Sequence, residues 1–303
     1  MSPSPVSLQI SVAPADLPHA RWTLPHQLRQ WGSQVDEVLF VLDGRQPELE
    51  DLLERLCSQH AHARVEHVDY GDEAAGAVAE ELLGGTRAPA KDCFGKAVYS
   101  YLFGLHAARH RFVLHLDSDM MFGGGSRSWV EEAQRLFASR PDVLSVSPLP
   151  GPPSGRPFPR HVARVHRAEP FESPGLAGPA LRFTHMSTRD FLLDRSRLPT
   201  LRPERPGPRA ALAALAKGAI WKRRAWRAPA EAALSRAMTR AGLSRVDFLG
   251  AAPGMWSLHP PQRSREFYDA LPELIRRIEE GDMPERQLGD FDLSDALLAE
   301  ASR

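Results

Sequence analysis

Hydrophobic and polar positions follow two periods along the first half of the chain. Val6 to Val12 (VSLQISV) alternates with period two and is β-rich, which predicts a strand. Pro14 and Pro18 break it. A helix is then expected from an N-cap at Thr23, with Pro25 in its first turn and Leu24, Leu28 and Trp31 on one face. Val38 to Leu42 (VLFVL) is an unbroken apolar run, the pattern of a parallel strand covered on both faces, and it closes on Asp43-Gly44. Leu49, Leu52, Leu53 and Leu56, after Pro47, mark a second helix. Arg64 to Val68 predicts a short strand ending at Asp69. Helices are expected over Asp72 to Leu83 and over about Asp92 to Ala108, the latter striped by Phe94, Val98, Tyr101, Leu102 and Leu105. Phe112 to Leu116 reads as a buried strand and Val143 to Ser147 as a further one. Between them Ser128 and Glu131 match a capping box that opens a helix through Phe137.

Strand and helix alternate, which predicts an α/β fold: a mostly parallel central sheet with helices on both faces, followed by a C-terminal helical segment. The second half is less regular. Residues 148–180 are rich in Pro and Gly and predict loops or a hairpin, and a strand is expected between Phe183 and Leu193. Helical patterns run over Ala210–Ala225, Ala230–Ala241, Glu266–Glu280 and Asp295–Ala301, with a turn-rich stretch around Trp256-Ser-Leu-His259-Pro-Pro. No internal repeat is evident.

Composition narrows the class only coarsely. The chain of 303 residues is 42% hydrophobic and 25% charged, an ordinary globular profile. Its formal net charge of +0 gives no whole-molecule attraction to nucleic acid, so a nucleic-acid partner is not expected. Cys57 and Cys93 are too few for a disulfide framework or a Cys-rich zinc site, and two thiols fit a cytoplasmic protein. The start, MSPSPVSLQISVAP, lacks the basic-then-apolar order of a signal peptide.

The chemistry concentrates in Arg111 to Gly125, RFVLHLDSDMMFGGG. An apolar strand runs straight into Asp117-Ser118-Asp119, and strand period places the two carboxylates on one side. Paired carboxylates repel unless a cation intervenes, and Mg²⁺ or Mn²⁺ takes carboxylate oxygens while bridging to phosphate. The glycines that follow permit a sharp turn or a close approach to a ligand, and no Lys-Ser/Thr pair makes them a P-loop. Asp43, Asp69 and Asp117/Asp119 all fall at strand carboxyl ends, where open α/β sheets bind ligands, which points to one shared site.

The order of parts resembles a family 2 type glycosyltransferase of the GT-A fold: a strand closing on Asp43-Gly44, a Gly-x-x-x-Tyr helix start, then FVLHLDSDMMF. The resemblance covers about residues 6–150 well and about 180–260 weakly. It implies a nucleotide-sugar donor, UDP- or GDP-linked, and Mn²⁺ or Mg²⁺. It implies that Asp43 contacts base or ribose and that Asp117 and Asp119 bind ribose, metal and diphosphate. It also implies a late metal ligand at His259 and a catalytic base at Glu231, with inversion at the anomeric carbon. Glu172 and Asp190 are the other acids considered for the base. The family's second Asp before Asp-Gly is replaced here by Leu42, and its acidic pair near the acceptor helix is absent. Lys91 and Lys96 are placed to neutralise phosphate, and Trp22, Trp31 and Trp129 are read as packing residues.

The division expected is 1–150 as the nucleotide-sugar half, 151–265 as the acceptor half and 266–303 as an acidic helical tail. Two other readings stand beside the transferase: a non-catalytic nucleotide-sugar-binding protein on the same fold, and a sugar-phosphate nucleotidyltransferase. Ala13-Pro14-Ala15-Asp16 after the first strand is not the Gly-rich basic loop the latter needs. From Arg195 to Arg227 ten basic residues face one acid, Glu204. That segment is expected either to be a solvated basic face or one paired with the acidic tail, or to meet an anionic acceptor or a membrane surface.

Overall fold

The computed structural model describes residues 3–92, 95–155, 168–200 and 230–302. Its centre is a mixed sheet in which β1 (Val6–Val12), β2 (Glu37–Leu42), β3 (Ala63–His67) and β4 (Phe112–Asp117) lie parallel. The remaining strands are β5 (Met121–Gly123), β6 (Val143–Pro150), β7 (Glu169–Pro170), β8 (Ala180–Phe183), β9 (Asp190–Asp194), β10 (Ser244–Phe248) and β11 (Trp256–Leu258). The order across the sheet is β3-β2-β1-β4-β9-β6-β10-β8-β7, with β11 bridging β5 and β6. β9 runs antiparallel between β4 and β6, while β6 and β10 are parallel to each other. The carboxyl ends of β1, β2, β3, β4, β6 and β10 therefore share one edge, with Asp190 at the start of β9 among them.

The described helices are α1 (Leu17–Trp31), α2 (Pro47–Gln59), α3 (Asp72–Leu83), α4 (Tyr99–Ala107), α5 (Trp129–Ser139), α6 (Ala230–Arg240), α7 (Arg265–Glu280) and α8 (Asp295–Ala301). One apolar layer joins Leu8, Ile10, Leu24, Trp31, Phe40, Leu114 and Trp129 on the α1, α2 and α5 side of the sheet. A second joins Leu39, Val41, Val78, Tyr99, Phe103 and Leu193 under α3 and α4. Each fully buried Leu, Ile or Phe contributes about 1.5–3 kcal/mol relative to exposure. Trp31 and Trp129 pack edge to face at 5.4 Å, whereas Trp22 is exposed.

β1 is buried on both faces, not one. Its polar positions form a second interior layer: Ser7 donates to Glu37 (2.5 Å), and Gln9 bonds Ser11 (2.9 Å) and His115. Gly104 lets α4 approach this layer, because a Cβ there would lie 2.7 Å from the Gln9 amide nitrogen.

Several elements differ from their sequence expectation for identifiable reasons. α1 begins at Leu17, six residues before the expected Thr23 cap. Pro18 sits in its first turn, where no N–H is needed, and Pro25 is tolerated inside the helix. The helix expected from Asp92 starts only at Tyr99. Residues around Gly95 (φ +79°) instead turn back, Asp92 accepting the Lys96 N–H at 3.0 Å, with a bridge between Lys91 and Ala97. No capping box forms at α5: the Ser128 hydroxyl bonds the Glu132 carboxylate (2.9 Å) and not the backbone. The strand expected between Phe183 and Leu193 is β9, which begins only at Asp190, while β8 ends at Phe183 in a different sheet position. Trp256–Leu258, expected as turns, is strand β11.

Arg195 and Arg197 of the basic segment serve the fold. Arg195 donates to the carbonyls of Leu105 and Ala108 at the end of α4, and Arg197 to that of Phe137 in α5. The rest of that segment, and the helix expected over Ala210–Ala225, lie outside the described residues. Among the described residues no helix is long and apolar enough to cross a membrane.

Candidate active site

β4 delivers Asp117 at its last position, and the chain then turns: Asp119 lies beyond the strand, with Met120 N–H bonded to the Asp117 carbonyl at 3.2 Å. A tight turn, not the strand pleat, therefore presents the two carboxylates. α1 clamps that turn with an interior polar face. The Gln27 amide donates to the carbonyls of Asp117 and Met120 (both 2.9 Å), His19 pairs with Ser118 at 3.1 Å, and His26 Nε2 accepts the Phe122 N–H at 2.9 Å. Burial lowers the His26 imidazole and brings that of His19 down to about 4, so both are neutral and able to accept.

The glycines after Phe122 approach protein. A Cβ on Gly123 would lie 2.0 Å from Trp256, and one on Gly124 (φ +89°) 2.4 Å from the Gly254 carbonyl oxygen. They dock β5 against β11, and β11 leads directly to His259.

The Tyr101 hydroxyl, from α4, donates to Asp117 Oδ1, and His115 Nε2 lies 3.5 Å from the same oxygen. Burial, then Asp117, pushes the Tyr101 hydroxyl well up, so it remains a donor. Asp119 is buried, and burial followed by repulsion from Asp117 raises its carboxyl; Arg263 and His259 oppose the rise. Arg263 places one guanidinium nitrogen 3.0 Å from Asp119 and another 3.1 Å from Asp16. This guanidinium occupies the cationic place beside Asp119. His259 pairs through Nδ1 with Asp292 at 3.0 Å and stacks on Phe291, an arrangement that reserves Nε2 as a lone-pair donor.

A cavity of about 490 Å³ opens at this end of β4. It is bordered by Asp117, Asp119, Lys96, Glu231, His259 and Arg263, with an apolar remainder that includes Leu102 and Phe191. Five of the sequence-predicted residues are thus brought to one space from four separate elements and loops. Glu231, in the first turn of α6, is oriented by Thr188, whose N–H and hydroxyl donate to Oε1 at 3.2 and 3.0 Å.

Three expected residues lie elsewhere. Asp43 accepts the Tyr70 hydroxyl at 2.8 Å at the end of β2, outside the lining of this cavity. Asp69 closes its own turn onto the Gly71 N–H at 2.7 Å, so the three acidic strand ends do not share one cavity. Lys91 is exposed and does not border the cavity. Of the other acids considered for the base, Glu172 is exposed and Asp190 is buried at the start of β9.

Sequence reasoning missed Arg263, Tyr101 and Arg189. The only signal for Arg263 was its nearness to His259 along the chain, and Tyr101 reads simply as part of an apolar stripe. Arg189 borders the cavity from the connection before β9, which the pattern had assigned to a strand.

Among the described residues no three His, Cys, Asp or Glu side chains converge closely enough to cage a metal. The donor set still fits a hard divalent ion, which is commonly held by one or two carboxylates together with substrate phosphate and water. The raised Asp119 carboxyl beside a displaceable guanidinium is the feature that such a charge would relieve.

No protein-family model matches the chain, and no curated protein sequence matches it. Solved structures do. The crystal structure of GalNAc-T7 with UDP, GalNAc and Mn²⁺ superposes with a TM-score of 0.50 at 12% identity, over 90% of this chain and 48% of that one. The chain thus spans about half the length of that protein. S. aureus TarS (TM-score 0.43, 12% identity, 89% and 64% covered) and M. tuberculosis glucosyl-3-phosphoglycerate synthase (TM-score 0.41, 14% identity, 91% and 79% covered) overlap more loosely. The assignment rests on the first: the chain has the α/β GT-A fold.

Proposed function

We propose that the protein is a metal-dependent glycosyltransferase that moves a sugar from a nucleoside-diphosphate donor to an acceptor hydroxyl with inversion. The observation that carries this reading is the single cavity at the carboxyl end of β4 bordered by Asp117, Asp119, Lys96, Glu231, His259 and Arg263. Residues 1–150 serve as the donor half, 151–265 as the acceptor half and 266–303 as the tail. UDP or GDP, and Mn²⁺ or Mg²⁺, are the donor nucleotide and ion considered.

In this reading Asp119 and Asp117 would hold the ion, with His259 as a third protein donor. When bound, the ion supplies Lewis-acid stabilisation of the leaving diphosphate. Lys96 and Arg263, which border the cavity, would add positive charge toward the diphosphate. Asp43 contacts base or ribose from the neighbouring strand end, and Lys91 is left to long-range attraction. Tyr101 keeps Asp117 fixed through its hydroxyl hydrogen bond. Glu231 takes the acceptor proton through Oε2 while Thr188 holds Oε1. The acceptor oxygen attacks the anomeric carbon, the bond to the diphosphate oxygen breaks, and the nucleoside diphosphate leaves with the electron pair.

The test is to incubate the protein with UDP- and GDP-sugars, with and without Mn²⁺, and to measure nucleoside diphosphate release. Metal-dependent release supports the reading. Pyrophosphate formation from a nucleoside triphosphate and a sugar phosphate would replace it with nucleotidyl transfer. Nucleotide binding without any turnover would leave a binding protein.

A further inference from the structure

A second cavity of about 180 Å³ lies beside the first, at the carboxyl ends of β6 and β10. The two share Glu231 and Arg189. Its remaining polar wall includes Asp190 at the start of β9, Arg245 and Asp247 on β10, and Ser257 on β11.

This wall is built in an unusual way. Arg245 and Asp247 are both nearly inaccessible, yet charged, and they fork together at 2.8 and 2.9 Å. Burying such a pair costs several kcal/mol per ion before their attraction is counted. Even so, Arg245 Nη1 finds no hydrogen-bond partner among the described residues. Asp190 is 3% exposed with the Ser257 hydroxyl beside it, and its Oδ2 likewise meets no partner at hydrogen-bonding geometry. Two residues lining the same cavity thus each keep one buried polar atom, a donor on Arg245 and an acceptor on Asp190, without a partner among the described residues, where such groups are ordinarily satisfied.

Among the described residues the charge balance disfavours an anion. Both guanidinium groups are already matched, Arg245 by Asp247 and Arg189 by Asp292 at 3.9 Å. Asp190 and Glu231 border the same cavity and bring no further positive charge. Among the described residues a phosphate or carboxylate here would face Asp190, Glu231, Asp247 and Asp292 with no arginine left unmatched, and only the His185 imidazole besides, so its desolvation would be poorly compensated. A hydroxyl both donates and accepts, which matches an orphan guanidinium N–H and an orphan carboxyl oxygen together.

We propose that this second cavity is the acceptor subsite and that it takes an uncharged sugar ring, held by Asp190, Arg245 and Ser257 so that one hydroxyl meets Glu231. The proposal rests on the glycosyltransferase reading and gives the acceptor its chemistry: a neutral polyol and not an anionic acceptor. The reacting hydroxyl forms its new bond to the donor's anomeric carbon and passes its proton to Glu231, with the nucleoside diphosphate as leaving group.

The test uses the full chain and ligand-observed NMR with the methyl glycosides of glucose, galactose and mannose, and with 3-phosphoglycerate, in the presence of Mg²⁺ and UDP or GDP. A neutral glycoside is expected to bind and 3-phosphoglycerate is not. Asp190→Asn, isosteric, and Ser257→Ala, which removes one oxygen, should each weaken glycoside binding about 10-fold, the value of one lost hydrogen bond in a desolvated site. The nucleotide-induced rise in melting temperature should be unchanged in both. Preference for 3-phosphoglycerate, binding of no glycoside, or wild-type glycoside affinity in both variants overturns the proposal. Glycoside binding without any nucleotide-induced stabilisation would overturn the glycosyltransferase reading and leave a sugar site standing.

Discussion

The carboxyl ends of β4 and β10 each set an aspartate against an arginine, and the two pairs are built differently. Arg245 and Asp247 sit two positions apart on one strand, side chains 6% and 3% exposed, joined by two parallel bonds. The Arg245 guanidinium also lies 4.2 Å over the Phe183 ring. Arg263 reaches Asp119 from a loop far along the chain, through one contact of 3.0 Å, with 40% of its side chain exposed and Asp16 sharing its charge. The first pair is part of the wall, because strand geometry holds both partners and water cannot replace either. The second is a counter-charge on a movable support. A cation arriving at Asp119 competes with it, whereas nothing competes for Asp247.

The largest effect expected is at the exchangeable pair. Asp119→Asn should lower metal-stimulated turnover by about 10³-fold or more, since it removes the charge of a proposed ligand to a hard ion. Turnover is read as nucleoside diphosphate release, and full activity, or activity undiminished in EDTA, would move the site elsewhere. At the fixed pair the effect should fall on stability instead. Asp247→Asn leaves Arg245 buried without its carboxylate and should cost about 3 kcal/mol in urea unfolding. Asp119→Asn should cost far less by the same measurement, because solvent reaches Arg263.

Glu231→Gln keeps shape and removes the proposed base. It should cut turnover about 10²-fold with donor binding nearly intact, and the wild-type product should show inverted anomeric configuration by NMR. A retained configuration would remove Glu231 from the chemistry and leave it as a partner for Thr188.

Asp190 sharpens the contrast through pH. Burial pushes its carboxyl up to about 7, with Ser257 and Arg245 opposing and Asp247 and Asp117 adding to the rise. The folded state therefore binds more protons than the unfolded one between the ordinary carboxyl value, about 4, and about 7. This contribution to stability is fully present below that window, falls as pH rises through it, and is flat above. Asp190→Asn should remove that slope from urea unfolding measured across the window. Asp247, pushed up to about 6 mainly by burial, leaves a smaller slope of the same sign in the lower part. The smallest effect concerns Arg263→Gln, which should tighten Mn²⁺ binding a few-fold without nucleotide, as seen by calorimetry. Weaker binding would make Arg263 a metal-site support and not a competitor.

Much of the site was legible from local pattern. An apolar run ending in Asp-Ser-Asp carries its own strand signal, and Phe112–Asp117 is that strand. Asp295–Ala301 and Asp72–Leu83 coincide with their helical periods, since neither depends on distant partners for its ends. Ser244 to Phe248 alternates, and that spacing puts Arg245 and Asp247 on one face of the strand, but only the folded sheet sets that face beside a cavity.

What the sequence by itself determined was the α/β layout and the identity of the acidic turn, because both follow from short-range periodicity and backbone sterics. Tertiary structure decided everything that depends on what lies opposite. It put Pro25 inside α1, because a helix whose buried His19, His26 and Gln27 bond the acidic turn outweighs one missing N–H. It shortened α4, because Gly95 and the Asp92 side chain offered the backbone a turn. It also decided that the glycines after Phe122 meet Trp256, that Arg263 stands beside Asp119, and that Glu231 looks onto two cavities. Burial and charge pairing act between residues far apart in the chain, and no local period records them.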